Sequence, residues 1–272
     1  MTWLKMKFQG LVRRLFGAKV ITPEEIEGVL KLPVLAVIPH LERRRSLAQS
    51  AGLIRRRLDL NGRWRSRLLI NFPDHSPAAI AYDNLIHEIR PVVQKDRRKV
   101  ILVVSAVAGE GGSLTCANLA IAAGRQGLKT LIIEGHMRAP RISGVFHVDL
   151  EPGLTGCLNR SLSASSCIQK FVLPFTDLLA AGRSVSYPAA LWNSAAFQQL
   201  LDVVRTFYDL VLIEASPLLL FPDTAELAKK VDTILLVHQF GRSSSDRLGK
   251  AVEKIQDVKD RILGVVLNDS PS

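Results

Sequence analysis

The chain has 272 residues, 47% of them apolar, and a formal net charge of +11. That length and apolar content suit one large buried core with an extension beside it, not a disordered or disulfide-stapled chain. No run of 18 apolar residues occurs and no apolar stretch with a cleavage site marks the start, so neither a membrane-spanning helix nor a signal peptide is expected. Cys116, Cys157 and Cys167 form no C-x-x-C pair, which suits a reducing cytoplasm and reads as three buried or half-buried thiols. The charge is uneven: residues 1–99 hold 20 Lys/Arg and 9 Asp/Glu, whereas residues 100–272 hold 16 of each. A basic arm on a neutral body points to anionic lipid or nucleic acid for the arm alone.

In chain order, Met1 to Lys19 has five basic residues and no acidic one. Leu4, Phe8, Leu11 and Leu15 recur at helical spacing, with Lys5, Arg13 and Arg14 off the stripe. This pattern fits a basic amphipathic helix lying on an anionic membrane surface or docked on the protein's own body. Thr22-Pro23-Glu24-Glu25 is a helix start, with a good N-cap, proline at the first position and acids in the first turn. That helix should end near Lys31, and Leu35 to Ile38 should form a short strand. Three arginine clusters follow, at 43–45, 55–57 and 63/65/67, set among Leu, Ile and Trp64. They read equally as a nucleic-acid or phospholipid patch and as a solvated helical face or flexible linker. Ser76 to Arg90 reads as a helix running up to Pro91.

The centre of the chain is Lys99 to Thr115, KVILVVSAVAGEGGSLT. Val100 to Val104 is a short β-branched run of the kind buried in parallel sheets. A Gly-rich turn, Gly109-Glu110-Gly111-Gly112-Ser113, leads into a helix from Leu114 to Gln126. Strand, glycine turn and helix make a phosphate cradle from backbone N–H groups and a helix N-terminus. The complete motif is G-x-x-x-x-G-K-[ST], whose Lys reaches the β- and γ-phosphates. Gly111 and Ser113 fit it, but Gly112 stands at the Lys position and Ala106 at the first Gly. Gly109, Glu110, Gly111, Gly112, Ser113 and Leu114 are therefore the candidate nucleotide-binding residues.

Further strands are expected at 129–134, 177–181, 209–214, 232–237 and 262–267, with helices at 194–207, 223–230 and 243–256. This alternation predicts an α/β, doubly wound, mostly parallel sheet. Ligands of such sheets sit at the carboxyl ends of the strands. There lie the glycine turn, Glu134 to Arg138, and Glu214 to Pro217.

These stretches resemble, in order, the cytoplasmic domain of bacterial tyrosine kinases of polysaccharide polymerisation and export (Wzc/CpsD type), within the MinD/ParA-like P-loop group. TPEEIEGVLKLPVLAVIP is similar to the family's juxtamembrane stretch, and SPAAIAYDNLIHEIR to its S-P-x-x-E-A-Y-R-x-L-R helix. The run from VVSAVAGEGG to RISGVF resembles its Walker A strand through its second Walker motif, and YDLVLIEASP its Walker B strand. The resemblance implies ATP or ADP with Mg²⁺ as cofactors. It implies Ser113, Glu134 and Glu214 as the metal positions, Glu134, His136 and Glu214 as the catalytic ones, and Arg138 at the nucleotide.

The departures from that pattern all fall on one site. The Walker A Lys is Gly112, and the D-x-D-x-R-x-P motif reads Glu134-Gly135-His136-Met137-Arg138-Ala139-Pro140. The Walker B Asp is Glu214. Each Glu moves its carboxylate by one methylene, roughly 1.5 Å. His136 offers nitrogen where hard Mg²⁺ wants oxygen. Phosphoryl transfer depends on positioning and on neutralising charge, and Gly112 supplies no cation. The family's E-x-x-R-x-x-R ring-assembly positions are Ile80, Asp83 and Ile86, and no tyrosine follows Tyr208. Plainer readings remain for several residues. Glu134 and Glu214 fit as sheet-end carboxylates bonded to loops. Arg138 and Arg141 fit as phosphate contacts or surface caps, and Asp223 as the side-chain cap of the helix at 223–230.

The expected organisation is a basic segment at 1–20, a juxtamembrane-like arm and helix at 21–98, and the kinase-homology domain at 99–272. The expected function is a catalytically degenerate, kinase-like regulator of exopolysaccharide or capsule synthesis. It would bind a membrane co-polymerase or a kinase homologue at the cytoplasmic face of the membrane, with residues 1–20 on anionic lipid and no specific nucleic acid. Its oligomeric state is left open. The alternatives are an active atypical tyrosine kinase or ATPase, and a ParA-like DNA-positioning ATPase.

Overall fold

The fold is given by a computed structural model that describes residues 22–41, 64–95, 97–159 and 162–270. The segment 1–20, the arginine clusters 43–45 and 55–57, and Arg63 lie outside the described residues. One eight-stranded sheet organises the chain: β1 (Val34–Pro39), β2 (Val100–Ser105), β3 (Thr130–Glu134), β4 (Gln169–Leu173), β5 (Thr176–Leu179), β6 (Leu210–Glu214), β7 (Thr233–Gln239) and β8 (Ile262–Ser270). The strand order is β1-β8-β7-β2-β6-β3-β5-β4, parallel throughout except for β4, which pairs antiparallel to β5.

The uninterrupted apolar runs are uninterrupted because both faces of the sheet are covered. Along β2, Val100, Leu102 and Val104 enter one hydrophobic cluster while Ile101 and Val103 enter the other, the two-residue alternation of a strand. On the second face lie α2 (Pro77–Gln94) and α3 (Gly112–Arg125). On the first lie α1 (Pro23–Leu30), α8 (Ala195–Phe207), α9 (Asp223–Ala228) and α10 (Ser245–Lys254). Short helices α4 (Ile142–Phe146), α5 (Gly153–Asn159), α6 (Ala164–Cys167) and α7 (Pro188–Trp192) fill the crossover between β3 and β6. Strand β1 and helix α2, both N-terminal to the glycine turn, share this sheet and core. The three cysteines are buried and free.

The helix starts follow the local chemistry. Thr22 Oγ1 accepts the Glu25 N–H at 3.3 Å, Ser76 Oγ the Ala79 N–H at 3.3 Å, and Ser194 Oγ the Phe197 N–H at 3.1 Å. Lys31, left-handed at φ 56°, ends α1 where expected. Two expectations are corrected. Helix α2 does not stop before Pro91 but continues to Gln94. Proline removes one N–H bond, to the carbonyl of exposed His87, and the extra turn buries Val93. Asp223 does not cap its helix: α9 is entered through Pro222 without a side-chain cap, and the carboxylate turns to Arg138.

Candidate functional site

Register brings the site together. Glu134 and Glu214 end neighbouring strands and pair directly across them, and Val103 of β2 pairs with Glu214 on its other side. The glycine turn leaves β2 over these ends, and α3 departs from it at Gly112. Gly109 and Gly111 sit at φ 85° and 91°, where side chains are strained. A Cβ on Gly111 would also stand 2.6 Å from the Asn268 amide. Gly112 differs: its backbone is helical, and a Cβ there would meet nothing closer than Ser105 Oγ at 3.7 Å. The backbone therefore permits a side chain at the position where the cation is missing.

The Glu110 side chain anchors the turn. It is fully buried, and its Oε2 accepts the Val107 N–H at 2.9 Å. Its Oε1 lies 2.5 Å from the Ser243 hydroxyl, which donates to it, and 2.8 Å from His238 Nδ1. Asn268, at the end of β8, donates to the Glu110 carbonyl at 3.1 Å and to Thr115 Oγ1 at 2.8 Å. The turn is thus fastened from β7 and β8. Sequence reading missed His238, Ser243 and Asn268 as its support, because they lie more than 100 residues away in the chain.

The two glutamates have separate fates. Glu134 is fully buried. Its Oε1 accepts the N–H groups of Ile142 (2.5 Å) and Ser143 (3.2 Å), and its Oε2 that of Ala181 (3.2 Å). Both oxygens are spent on backbone, joining the start of α4 to the end of β5. Glu214 Oε1 accepts the Ser113 hydroxyl at 2.6 Å, while Oε2 is buried without a partner at the cavity wall. Burial pushes the Glu214 carboxyl up to about 8, against the lowering effect of the Ser113 bond and with Glu134 adding to the rise. His136 Nδ1 stands 3.9 Å from Glu214 Oε1. Burial lowers its pKa, as do the nearby Arg141 and Arg138, so the imidazole is neutral near pH 7.

Glu214, His136 and the glycine turn, but not Glu134, line a cavity of about 570 Å³ above the strand ends. Gly109 to Leu114 form its floor, and Trp64, Arg67, Tyr82 and Arg141 part of its walls. Arg138 does not line it. Its guanidinium is paired in two 3.0 Å bonds with Asp223 and stacks 4.7 Å from the Phe221 ring. The loop and the N-terminus of α3 suit a phosphate anion. The family's Mg²⁺ fits poorly. Glu134 is consumed, His136 offers nitrogen, and the remaining Ser113 hydroxyl and Glu214 carboxyl already bond each other. Among the described residues no group of three His, Cys, Asp or Glu could hold a metal ion.

A mostly parallel sheet with a glycine turn between β2 and α3, and carboxylates ending the adjacent strands, defines a P-loop NTPase fold of the MinD/ParA type. The MinD protein of Pyrococcus horikoshii, solved with Mg-ADP, matches with a TM-score of 0.53 at 22% identity, over 62% of this chain and 70% of MinD. The kinase domain of the Escherichia coli tyrosine kinase ETK matches with a TM-score of 0.77 at 22% identity, over 92% of this chain and 94% of that domain. The tyrosine-protein kinase YwqD of Bacillus subtilis is 31% identical over 170 residues, which is 62% of this chain and 72% of YwqD. The chain belongs to the bacterial tyrosine-protein kinase family. EpsB of Ralstonia nicotianae, which carries that family's name, is 28% identical over 254 residues, 93% of this chain. The chain spans 33% of the length of EpsB. No family model matches it.

Proposed function

We propose that this chain is a catalytically degenerate, tyrosine-kinase-like regulator of exopolysaccharide or capsule biosynthesis and export, acting by binding instead of phosphotransfer. The observation that carries this reading is Gly112. The glycine turn, the Ser113 hydroxyl and the strand-end carboxyls keep their places, yet the turn carries no lysine. Transfer of a phosphoryl group depends on charge neutralisation at that point. The consumption of Glu134 by three backbone N–H groups supports the same reading.

The proposed partner is a membrane polysaccharide co-polymerase or an active kinase homologue, and the proposed location is the cytoplasmic face of the membrane. No helix among the described residues is long and apolar enough to cross a membrane. The proposed attachment is through such a partner or through residues 1–20 on anionic lipid. The test is transfer from radiolabelled ATP to a tyrosine peptide and to the chain itself, beside an active family kinase. Absence of transfer, with co-purification of an export component from cells, is expected. Transfer abolished by Glu214→Ala would instead establish an active atypical kinase.

A further inference from the structure

The positive charge that the glycine turn lacks is present elsewhere in the same cavity. Arg67 and Arg141 both line it. Neither guanidinium is paired with a carboxylate among the described residues, whereas Arg138, Arg205 and Arg125 all are. Arg141 lies 5.5 Å from the Trp64 ring, which shields one face and leaves its N–H edges for a ligand.

Arg67 is held in place from the phosphate helix itself. Asn118 of α3, fully buried, donates through Nδ2 to the Arg67 carbonyl at 3.2 Å and accepts the Leu69 N–H through Oδ1 at 3.0 Å. Arg125, further along α3, donates to the Leu69 carbonyl at 2.9 Å. One helix thus supplies N–H groups at its start and holds the backbone of the segment that carries Arg67, a residue lining the same cavity. Guanidinium groups bind phosphate oxygens through two parallel N–H bonds and need no metal to do so. The metal side of the site is correspondingly weak, with Glu134 spent on backbone and His136 in place of an oxygen ligand.

We propose that this cavity binds a polyphosphate anion of the nucleoside di- or triphosphate class without a divalent cation, its charge met by Arg67 and Arg141. This rests on the reading that the site no longer transfers phosphoryl groups. Arg67 and Arg141 take over the neutralising role of the missing lysine and metal, while the turn's N–H groups and the N-terminus of α3 hold the phosphate oxygens. A site built this way meets the ligand's charge from the cavity wall and lacks the lysine in the turn and the metal that phosphoryl transfer uses at the β- and γ-phosphates.

The test is calorimetric titration of ADP, ATP and inorganic pyrophosphate into the full chain, once in EDTA and once in excess Mg²⁺. Equal affinity for ADP in the two conditions, within about twofold, is expected. Arg67→Gln and Arg141→Gln are each expected to weaken binding by about tenfold, the effect of one hydrogen bond to a charged group, with thermal melting unchanged. Pyrophosphate binding close to that of ADP would place the affinity in the phosphates, and much weaker binding would give the base a share. Binding that requires Mg²⁺, binding that ignores both arginine variants, or no binding at all would overturn the inference. Mg²⁺-dependent binding without phosphotransfer would do so while leaving the regulator reading intact. Phosphotransfer to tyrosine would overturn that reading whatever the binding pattern.

Discussion

Restoring the lysine is the most direct perturbation of this site. Gly112 is the first residue of α3, its φ is not positive, and a Cβ there makes only ordinary contact with Ser105. Glycine at such a position costs about 0.5–1 kcal/mol relative to alanine, chiefly through the freedom of the unfolded chain. Gly112→Ala should therefore raise the melting temperature by about 2 °C and leave ADP binding unchanged. Gly112→Lys should match that stabilisation and add one charge-assisted hydrogen bond to bound phosphate. Such a bond is worth about 1.5–3 kcal/mol, roughly a 10- to 100-fold gain in ADP affinity. Differential scanning fluorimetry and calorimetry of the two variants beside the natural chain separate the helix effect from the charge effect. Destabilisation by both substitutions would refute the claim that the backbone has room for a side chain. Equal ADP affinity in the Ala and Lys variants would refute the claim that the turn still presents a phosphate cradle.

Three other outcomes are expected. Glu214 holds its proton up to about pH 8 in the native state, whereas the unfolded carboxyl titrates near 4.5. The native state therefore binds a proton that the unfolded chain releases, and this contribution to stability is full below about pH 4.5 and fades as pH rises toward 8. Urea denaturation across that window should show the decline, and Glu214→Gln should flatten it. Glu134→Ala strands three buried N–H groups and should cost on the order of 3 kcal/mol or more, read as a lower denaturation midpoint. Tyr208→Phe removes a hydroxyl that donates to Asp177 at 2.6 Å and accepts from Lys170 at 2.7 Å. It should cost about 1–2 kcal/mol and speed amide exchange in β4, which Lys170 ties to the sheet.

The parallel sheet was legible because the central strands β2, β3, β6 and β7 each carry a run of three to five apolar residues, and such runs survive only where both faces are covered. Strand β4 was not. Gln169 to Leu173 is a half-exposed edge strand, with Phe171 at φ 53° breaking the alternation that would have revealed it. The glycine turn was legible from spacing alone, since Gly109 and Gly111 occupy the left-handed positions that such a turn requires. The use of its carboxylates was not. Nothing local in the sequence distinguishes a glutamate that faces a ligand from one that holds the N–H groups of Ile142, Ser143 and Ala181, the last of them 47 residues away. Arg67 and Arg141 were visible as charges, but their meeting in one cavity depends on Asn118, whose buried amide looks in sequence like any other polar residue in a small-residue helix.

The grip of Asn118 also makes α3 a two-ended lever. At one end are the N–H groups that face the cavity, and partway along is the amide that clasps Arg67 and Leu69. Pulling the preceding chain away breaks both bonds of that clasp and withdraws a guanidinium from the cavity in the same movement. An anion seated there resists the pull by as much as the pull weakens the anion, since the two equilibria share one coupling energy. On the proposed binding mode, displacement of residues 64–71 and loss of an anion from the glycine turn are coupled through those two bonds.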